Sequence, residues 1–337
     1  MKILGIETSC DETAAAIVES GTKILSNIVA TSAGMHAKTG GVVPEQAARQ
    51  QVVSILPVID TAFKEANIHH GNIDLIAVTV GPGLVGSLLV GIETARTLSL
   101  LWKKPIIPVN HLVAHVYANW LSGEKPKFPA LALVVSGGHT DLVLMRGHGN
   151  LEWIGGTRDD AAGEAFDKCA RLLGLPYPGG PSISSEAFRH KNKNGTLKMF
   201  PRPMLADKGF DWSFSGLKTA VLRVVEGPKS ILSTPQLAAE VQEAIVDVLV
   251  EKTLRAVKKF KPKSLLLAGG VAANSRLREK FEKEIENLEL KIDFRFPPPR
   301  LCTDNAAYIA GCAYFLSSQV NWKNLTVNPE LSIMGQI

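Results

Sequence analysis

The sequence predicts an α/β protein built twice over, as two similar domains facing a cleft. Three observations lead there. Short apolar strands alternate with segments of helical periodicity along all 337 residues. The order of three strands, helix, strand, helix, strand runs once before residue 125 and again after it, without residue-level repetition. The glycines gather in a few loops at strand ends and helix starts rather than spreading evenly.

In the first half, Lys2 to Glu7 (KILGIE), Thr13 to Val18 and Lys23 to Ala30 read as strands joined by tight polar turns. Val52 to Ala66 has helical spacing of its apolar residues. Asp74 to Val80 (DLIAVTV) is a buried strand that stops at Gly81-Pro82-Gly83; a helix over Val85 to Trp102 and a strand over Ile106 to Val109 follow. The pattern restarts with strands at Ala130 to Val135, Thr140 to Met145 and Leu151 to Gly155. Helices over Ala162 to Leu173 and Pro235 to Lys259, a strand over Ser264 to Leu267 and a helix from about Asn274 to Ile285 complete it. The expected domains are 1–125 and 126–316, with 317–337 as a tail and a helix from about 304 packing back near the first domain. The segment 177–229, rich in Gly, Pro, Lys and Ser, reads as an insertion with short helices.

Composition narrows the class. A hydrophobic share of 45% with 20% charged residues suits a folded soluble chain rather than a disordered one. The formal charge of +5 permits a polyanionic partner without requiring one. Cys10, Cys169, Cys302 and Cys312 lie far apart with no C-x-x-C, which excludes a disulfide scaffold and a four-thiolate zinc site. The opening Met1-Lys2 runs straight into strand-like sequence, and no apolar run approaches the roughly 20 residues that span a bilayer. A cytoplasmic location and no membrane association are expected.

His111 and His115 stand four apart, so on a helix both imidazoles share one face and reach one cation. Alone the pair equally suits capping or packing. Asp304, after the Pro297-Pro298-Pro299 break, is the candidate third ligand; a helix N-cap is its competing role. Between the histidines stand Leu112, Val113 and Ala114, so the glutamate of an H-E-x-x-H peptidase is missing.

Four glycine loops follow strands or open helices: Gly81 to Gly86 (GPGLVG), Ser136 to His139 (SGGH), Tyr177 to Pro181 (YPGGP) and Gly269 to Asn274 (GGVAAN). Backbone amides at such places receive phosphate, which suggests a bound nucleotide; tight turns demanded by short connections are the alternative. No G-x-x-x-x-G-K-[ST] and no opening G-x-G-x-x-G occurs, which argues against a P-loop and against NAD. Ser136, His139, Asp167 and Asn274 are the polar candidates beside the loops. Asp11 and Glu12, on the turn after the first strand, and His139 are the candidates for catalytic groups. Lys191, Lys193, Lys198 and Arg202 in the insertion are candidates for nucleic-acid phosphate contacts, or else a solvated charge run.

Gly5 to Thr13 (GIETSCDET), the His111/His115 pair, Val135 to Thr140 (VSGGHT), YPGGP, Ser213 to Thr219 (SFSGLKT), GGVAAN and Thr303 to Asn305 (TDN) together resemble the TsaD/Gcp family, the tRNA N6-adenosine threonylcarbamoyltransferases. The likeness runs in the same order from near residue 1 to about residue 316. It implies the acetate kinase/hsp70/actin-like fold. It implies transfer of threonylcarbamoyl from threonylcarbamoyl-adenylate to N6 of adenosine 37 in tRNAs reading codons that begin with A, giving t6A and AMP. It implies one divalent metal ion on His111, His115 and Asp304, iron by resemblance, with zinc, magnesium or manganese as alternatives. Val134, Val135, Ser136, Gly137, Gly138, Asp167, Gly180 and Asn274 would hold the adenylate, and Asp11 would lie near the incoming adenine. The partners implied are tRNA, a TsaB-like paralogue forming a heterodimer, a TsaE-like ATPase and a TsaC-like synthase supplying the adenylate. Gln51 departs from the family, which often carries histidine there. The competing functions are an ATP-dependent small-molecule kinase of the same fold, a metallopeptidase (an older description of the family as a glycoprotease) and a non-enzymatic scaffold.

Overall fold

The computed structural model describes residues 1–32, 34–35, 41–190, 198–227, 232–316 and 318–335. The chain divides into two compact units: Met1–Pro126 with Gly147–Leu151 and Pro297–Ile337, and Lys127–Arg146 with Glu152–Phe296.

Unit 1 begins with an antiparallel meander, β1 (Lys2–Glu7), β2 (Glu12–Glu19) and β3 (Lys23–Thr31). Then come α1 (Pro44–Ala66), β4 (Leu75–Gly81), α2 (Val85–Trp102), β5 (Ile106–Asn110) and α3 (His111–Tyr117). The sheet order is β3-β2-β1-β4-β5, with β1, β4 and β5 parallel. Every residue of β4 and β5 is buried, as the near-continuous apolar runs LIAVTVG and IIPVN require for strands covered on both faces. Side chains alternate along β1. Leu4 and Ile6 pack with Ile55, Val58 and Ile59 of α1 and Ile92 and Ala95 of α2 in the core, each leucine, isoleucine or valine contributing roughly 1.5–3 kcal/mol of transfer free energy. Gly5 and Glu7 therefore face the other side. The first of these helices starts at Pro44 rather than Val52: proline suits the first turn, and the buried Gln51 conceals the apolar face from a periodicity count.

Unit 2 repeats the order. It runs β6 (Ala130–Val135), β7 (Thr140–Gly147), β8 (Asn150–Gly156), α4 (Ala162–Leu172), α5 (Gly179–Arg189), α6 (Ser215–Glu226), α7 (Thr234–Phe260), β9 (Ser264–Ala268), α8 (Ser275–Asn287) and β10 (Asp293–Arg295). Its sheet, β10-β9-β6-β7-β8, has the arrangement of the first read from the other edge. The 27 residues of α7 start from a Ser233/Gln236 capping box with Pro235 in the first turn. The short helices α5 and α6 lie in the segment read as an insertion.

The last helix, α9 (Ala306–Leu316), is apolar all round and buried from Ala306 to Ala313. It packs on β1, β2 and α3, so the chain from Pro297 onward groups with unit 1, near which a helix from about 304 was expected. Gly5 makes this packing possible: a Cβ there would overlap the Ala306 carbonyl and come within 3.1 Å of the Ala310 Cβ. Among the described residues, no helix is long and apolar enough to cross a membrane.

Candidate metal centre and ligand loops

The two histidines reach one point because α3 starts directly at the end of β5. Asn110 ends the strand and caps the helix, its Oδ1 accepting from the amides of Leu112 and Val113 at 2.9 and 3.3 Å. His111 and His115 then lie one turn apart, their Nε2 atoms 3.1 Å from each other. Asp304 closes the group from the other end of the chain. Its Oδ1 lies 3.3 Å from Nε2 of His115 and 3.7 Å from Nε2 of His111. One ligand atom from each residue falls within 4.8 Å of the other two.

The competing role for Asp304 belongs to its neighbour. Asn305 caps α9 by accepting from the amides of Ala307 and Tyr308 at 3.1 and 3.4 Å, which leaves the Asp304 carboxylate to face the imidazoles. Tyr308 donates its hydroxyl to the same Asp304 oxygen at 3.3 Å.

Sequence reasoning missed Glu7. It is wholly buried at the end of β1; Oε1 accepts from the Ser9 amide at 2.5 Å and Oε2 from the Thr79 hydroxyl at 2.7 Å. Oε2 also lies 3.0 Å from Nδ1 of His111. A proton on that Nδ1, donated to Glu7, leaves the Nε2 lone pair for a ligand role, as second-sphere carboxylates do for metal-binding histidines. The signal was available: a carboxylate inside an otherwise apolar strand.

The carboxylates that would attract a cation also favour a proton on the imidazoles, which a metal ion would displace from Nε2 of His111. Burial pulls the His111 pKa down, but the charges of Glu7 and then Asp304 outweigh it and hold it at about 9. Burial and the neighbouring His111 charge push His115 down. Burial would raise Asp304, yet the His111 charge and the hydrogen bond from His115 hold its carboxyl well below the usual range. Two imidazole nitrogens and a carboxylate oxygen thus converge, with Nδ1 of His111 already turned to Glu7. The donor set fits a divalent ion of the first transition row, without selecting iron over zinc or manganese.

Asp11, on the turn between β1 and β2, and Glu12, the first residue of β2, are half-buried. Burial raises the Glu12 pKa to about 7 against the opposing hydrogen bond from Thr31, at 2.8 Å on Oε1; its Oε2 is buried and has no hydrogen-bond partner among the described residues. Gln51 braces this turn from α1. It is 1% exposed, and its Nε2 donates to the carbonyls of Cys10 and Glu12 at 3.1 and 2.9 Å.

The glycine-loop candidates lie in unit 2. Ser136 to His139 form a tight turn after β6, with the Ser136 amide donating to the His139 carbonyl at 2.9 Å and Gly137 and Gly138 exposed. Gly163 lets the start of α4 press on this turn, since a Cβ there would come within 2.8 Å of the Gly137 Cα. Burial raises the Asp167 pKa although its Oδ1 accepts from the Gly179 amide at 2.7 Å; Gly180, beside it, has open space over its Cα. Val134 and Val135 are fully buried and paired with Asp141 and Thr140 of β7, so their side chains are core and only backbone at the strand end remains for a ligand. Asn274 caps α8 through Leu277 and donates to Gln242 at 3.0 Å, so its amide is already engaged.

The basic candidates fare differently. Arg202 is nearly buried, and its guanidinium pairs with Asp247 at 2.8 Å, which removes it from the surface set; Lys198 is exposed. Lys191 and Lys193 lie outside the described residues.

Comparison with known proteins identifies the family. The model of TsaD, tRNA N6-adenosine threonylcarbamoyltransferase, matches residues 23–311. A tRNA N6-adenosine threonylcarbamoyltransferase of Thermomicrobium roseum is 52% identical, over 95% of this chain and 93% of that one. One of Dehalococcoides mccartyi is 51% identical over 99% of both. Among solved structures, component A of the (R)-2-hydroxyglutaryl-CoA dehydratase of Acidaminococcus fermentans superposes with a TM-score of 0.53 at 12% identity, covering 96% of this chain and 99% of that one. A ROK family protein from Streptococcus pneumoniae gives 0.51 at 13% identity over 93% and 97%. These two share the acetate kinase/hsp70/actin-like fold and no more than that. By sequence, the chain belongs to the TsaD family of tRNA N6-adenosine threonylcarbamoyltransferases.

Proposed function

We propose that this chain transfers the threonylcarbamoyl group from threonylcarbamoyl-adenylate to N6 of adenosine 37 in tRNA, giving t6A and AMP. The observation that supports it most directly is the His111, His115 and Asp304 group, assembled from segments far apart in a chain that aligns with the family almost throughout.

The exocyclic amine is a weak nucleophile, so the carbamoyl carbon must be made more electrophilic and the leaving AMP stabilised. A divalent ion held by His111, His115 and Asp304 would supply Lewis acidity and offset phosphate charge. We assign the ion as iron, with zinc, magnesium or manganese as the alternatives. The chain's own groups do the rest. We assign the adenylate to Ser136 and the exposed backbone of Gly137 and Gly138 together with Asp167 and Gly180. The C–N bond forms as the carbamoyl–phosphate bond breaks; the N6 proton passes to a carboxylate, for which we assign Asp11, with Glu12 beside it and His139 as a further candidate. Gln51 fixes the backbone that carries both acids.

The partners are a TsaB-like paralogue, a TsaE-like ATPase and a TsaC-like synthase. We place the paralogue on the outer face of α1 and α2, where Val52, Val53, Leu56, Val85 and Leu89 are exposed together, Val53 by 70%. The helices meet closely there, with Ala48 against Gly86.

The test is reconstitution. The chain, its companions, threonine, bicarbonate, ATP and unmodified tRNA are combined, and the mass of adenosine 37 is followed. Modification is expected to require this chain and to fall by two orders of magnitude or more in His111→Ala, together with the bound metal. Val53→Lys is expected to lose the paralogue on gel filtration. Consumption of ATP on a small hydroxyl or carboxyl compound by the chain alone, with no tRNA product, would instead favour the kinase reading.

A further inference from the structure

Unit 2 carries a second concentration of charge, of which only Lys208 belongs to the insertion. Lys258 and Lys259 end α7, Lys261 and Lys263 lead into β9, Lys127 precedes β6 and Lys208 stands on the loop before Trp212. All six are exposed. The fold brings their three segments together. The Lys263 amide donates to the Pro129 carbonyl at 2.7 Å and the Lys127 amide to the Ser264 hydroxyl at 2.8 Å. Phe210 lies 5.8 Å from Phe260, and Nζ of Lys259 stands 5.2 Å from both ring centroids.

Among the described residues none of these lysines forms an ion pair. The neighbouring acids are largely answered elsewhere: Asp293 by Arg295 at 2.6 Å and Glu251 by Arg255. Asp207, beside Lys208, is the opposing carboxylate on that loop. The helix dipole accounts for Lys258 and Lys259, which sit in the last turn of α7. It does not account for Lys127, Lys208, Lys261 or Lys263, which lie outside the helix.

We propose that this end of unit 2 is a docking surface for the phosphate backbone of tRNA, an inference that rests on the tRNA substrate assigned above. Point charges on long stems, spread over three segments and interleaved with aromatic rings, match a phosphate ladder better than a single bound anion. The surface lies where β6 and β9 begin, whereas the Ser136 to His139 turn lies where β6 ends. Six residues of strand separate them, roughly 20 Å at about 3.3 Å per residue. The contacts are therefore made to a part of the tRNA remote from the reacting base; they set affinity and orientation rather than chemistry.

The test neutralises Lys127, Lys208, Lys261 and Lys263 to Gln together, keeping the stems and leaving the α7 terminus intact. Binding of unmodified tRNA to the full chain is measured across a salt series, and transfer is measured with the companions present. Expected are at least tenfold weaker binding at low salt and a log–log salt slope shallower by about three to four, at roughly 0.9 for each of the four phosphates left without its lysine. KM for tRNA should rise with kcat within twofold, and the thermal midpoint should not move. A control set in unit 1, Lys23, Lys64, Lys103 and Lys323 to Gln, should change neither slope nor KM. Unchanged slope and KM in the first set, or an equal effect in the control, overturns the proposal while the transferase reading stands. A wild-type chain that binds no tRNA overturns both.

Discussion

Glu7 shows how one buried carboxylate sets the chemistry of its neighbours. Its two oxygens meet the Ser9 amide, the Thr79 hydroxyl and Nδ1 of His111, so the imidazole is held with its other nitrogen toward Asp304. Glu7→Gln keeps the volume and removes the charge that supports the ligand. Metal affinity is expected to fall by about 10–100-fold, read by competition with a chelator of known affinity, with the fold retained by circular dichroism. Unaltered affinity would mean that His111 is oriented by something else. Glu12 titrates near neutrality. Its folded pKa of about 7 lies above the unfolded value of 4.5, so folding favours the protonated acid; stability is highest below the unfolded value and declines as pH rises through 7. Glu12→Gln keeps an acceptor for Thr31 and removes the buried charge. The variant should match the wild type in thermal midpoint near pH 5 and exceed it at pH 8, by on the order of 1 kcal/mol once partial exposure is allowed for. An equal difference at both pH values would show that Glu12 does not titrate in this window. Gln51, buried on α1, donates to the carbonyls of Cys10 and Glu12 and so supports the backbone that carries Asp11 and Glu12.

At the scale of elements, the metal group depends on two junctions that leave no room for slack. The β5–α3 junction aims both histidines, and the start of α9 aims Asp304. The seating of α9 depends in turn on Gly5, where strand and helix meet at backbone distance. Gly5→Ala is expected to destabilise the chain by about 1–3 kcal/mol through overpacking and to weaken metal binding as well, because the displaced helix carries Asp304 with it. Reduced stability with metal affinity intact would separate the two effects and show that Asp304 is placed by the preceding turn. The strands of this region were legible because an apolar run of five to seven residues between glycines and prolines has few alternatives. The start of α1 was not, because the residue on its buried face at position 51 is polar. Nor could Asp304 and Asn305 be told apart as cap and ligand: either side chain caps a helix well, and the choice depends on what stands opposite.

At the scale of the whole molecule, two sheets have the same strand order; the metal group lies in unit 1 with the Gly81 to Gly86 loop, and the other three glycine turns lie in unit 2. The amino-acid order alone determined the duplicated α/β plan, the candidate ligands and the family, since strand periodicity, turn residues and short motifs are local and survive without knowledge of contacts. It left four matters to the tertiary structure. Glu7 supports His111 across a separation of 104 positions. Arg202 is drawn inward to Asp247, and Asn274 is taken up by α8 and Gln242. Six lysines from three segments gather at one end of unit 2. The physical reason is common to all four: a charged or amide side chain has the same local propensity whether it meets solvent, a counter-charge or a ligand, and only packing between distant segments decides which it meets.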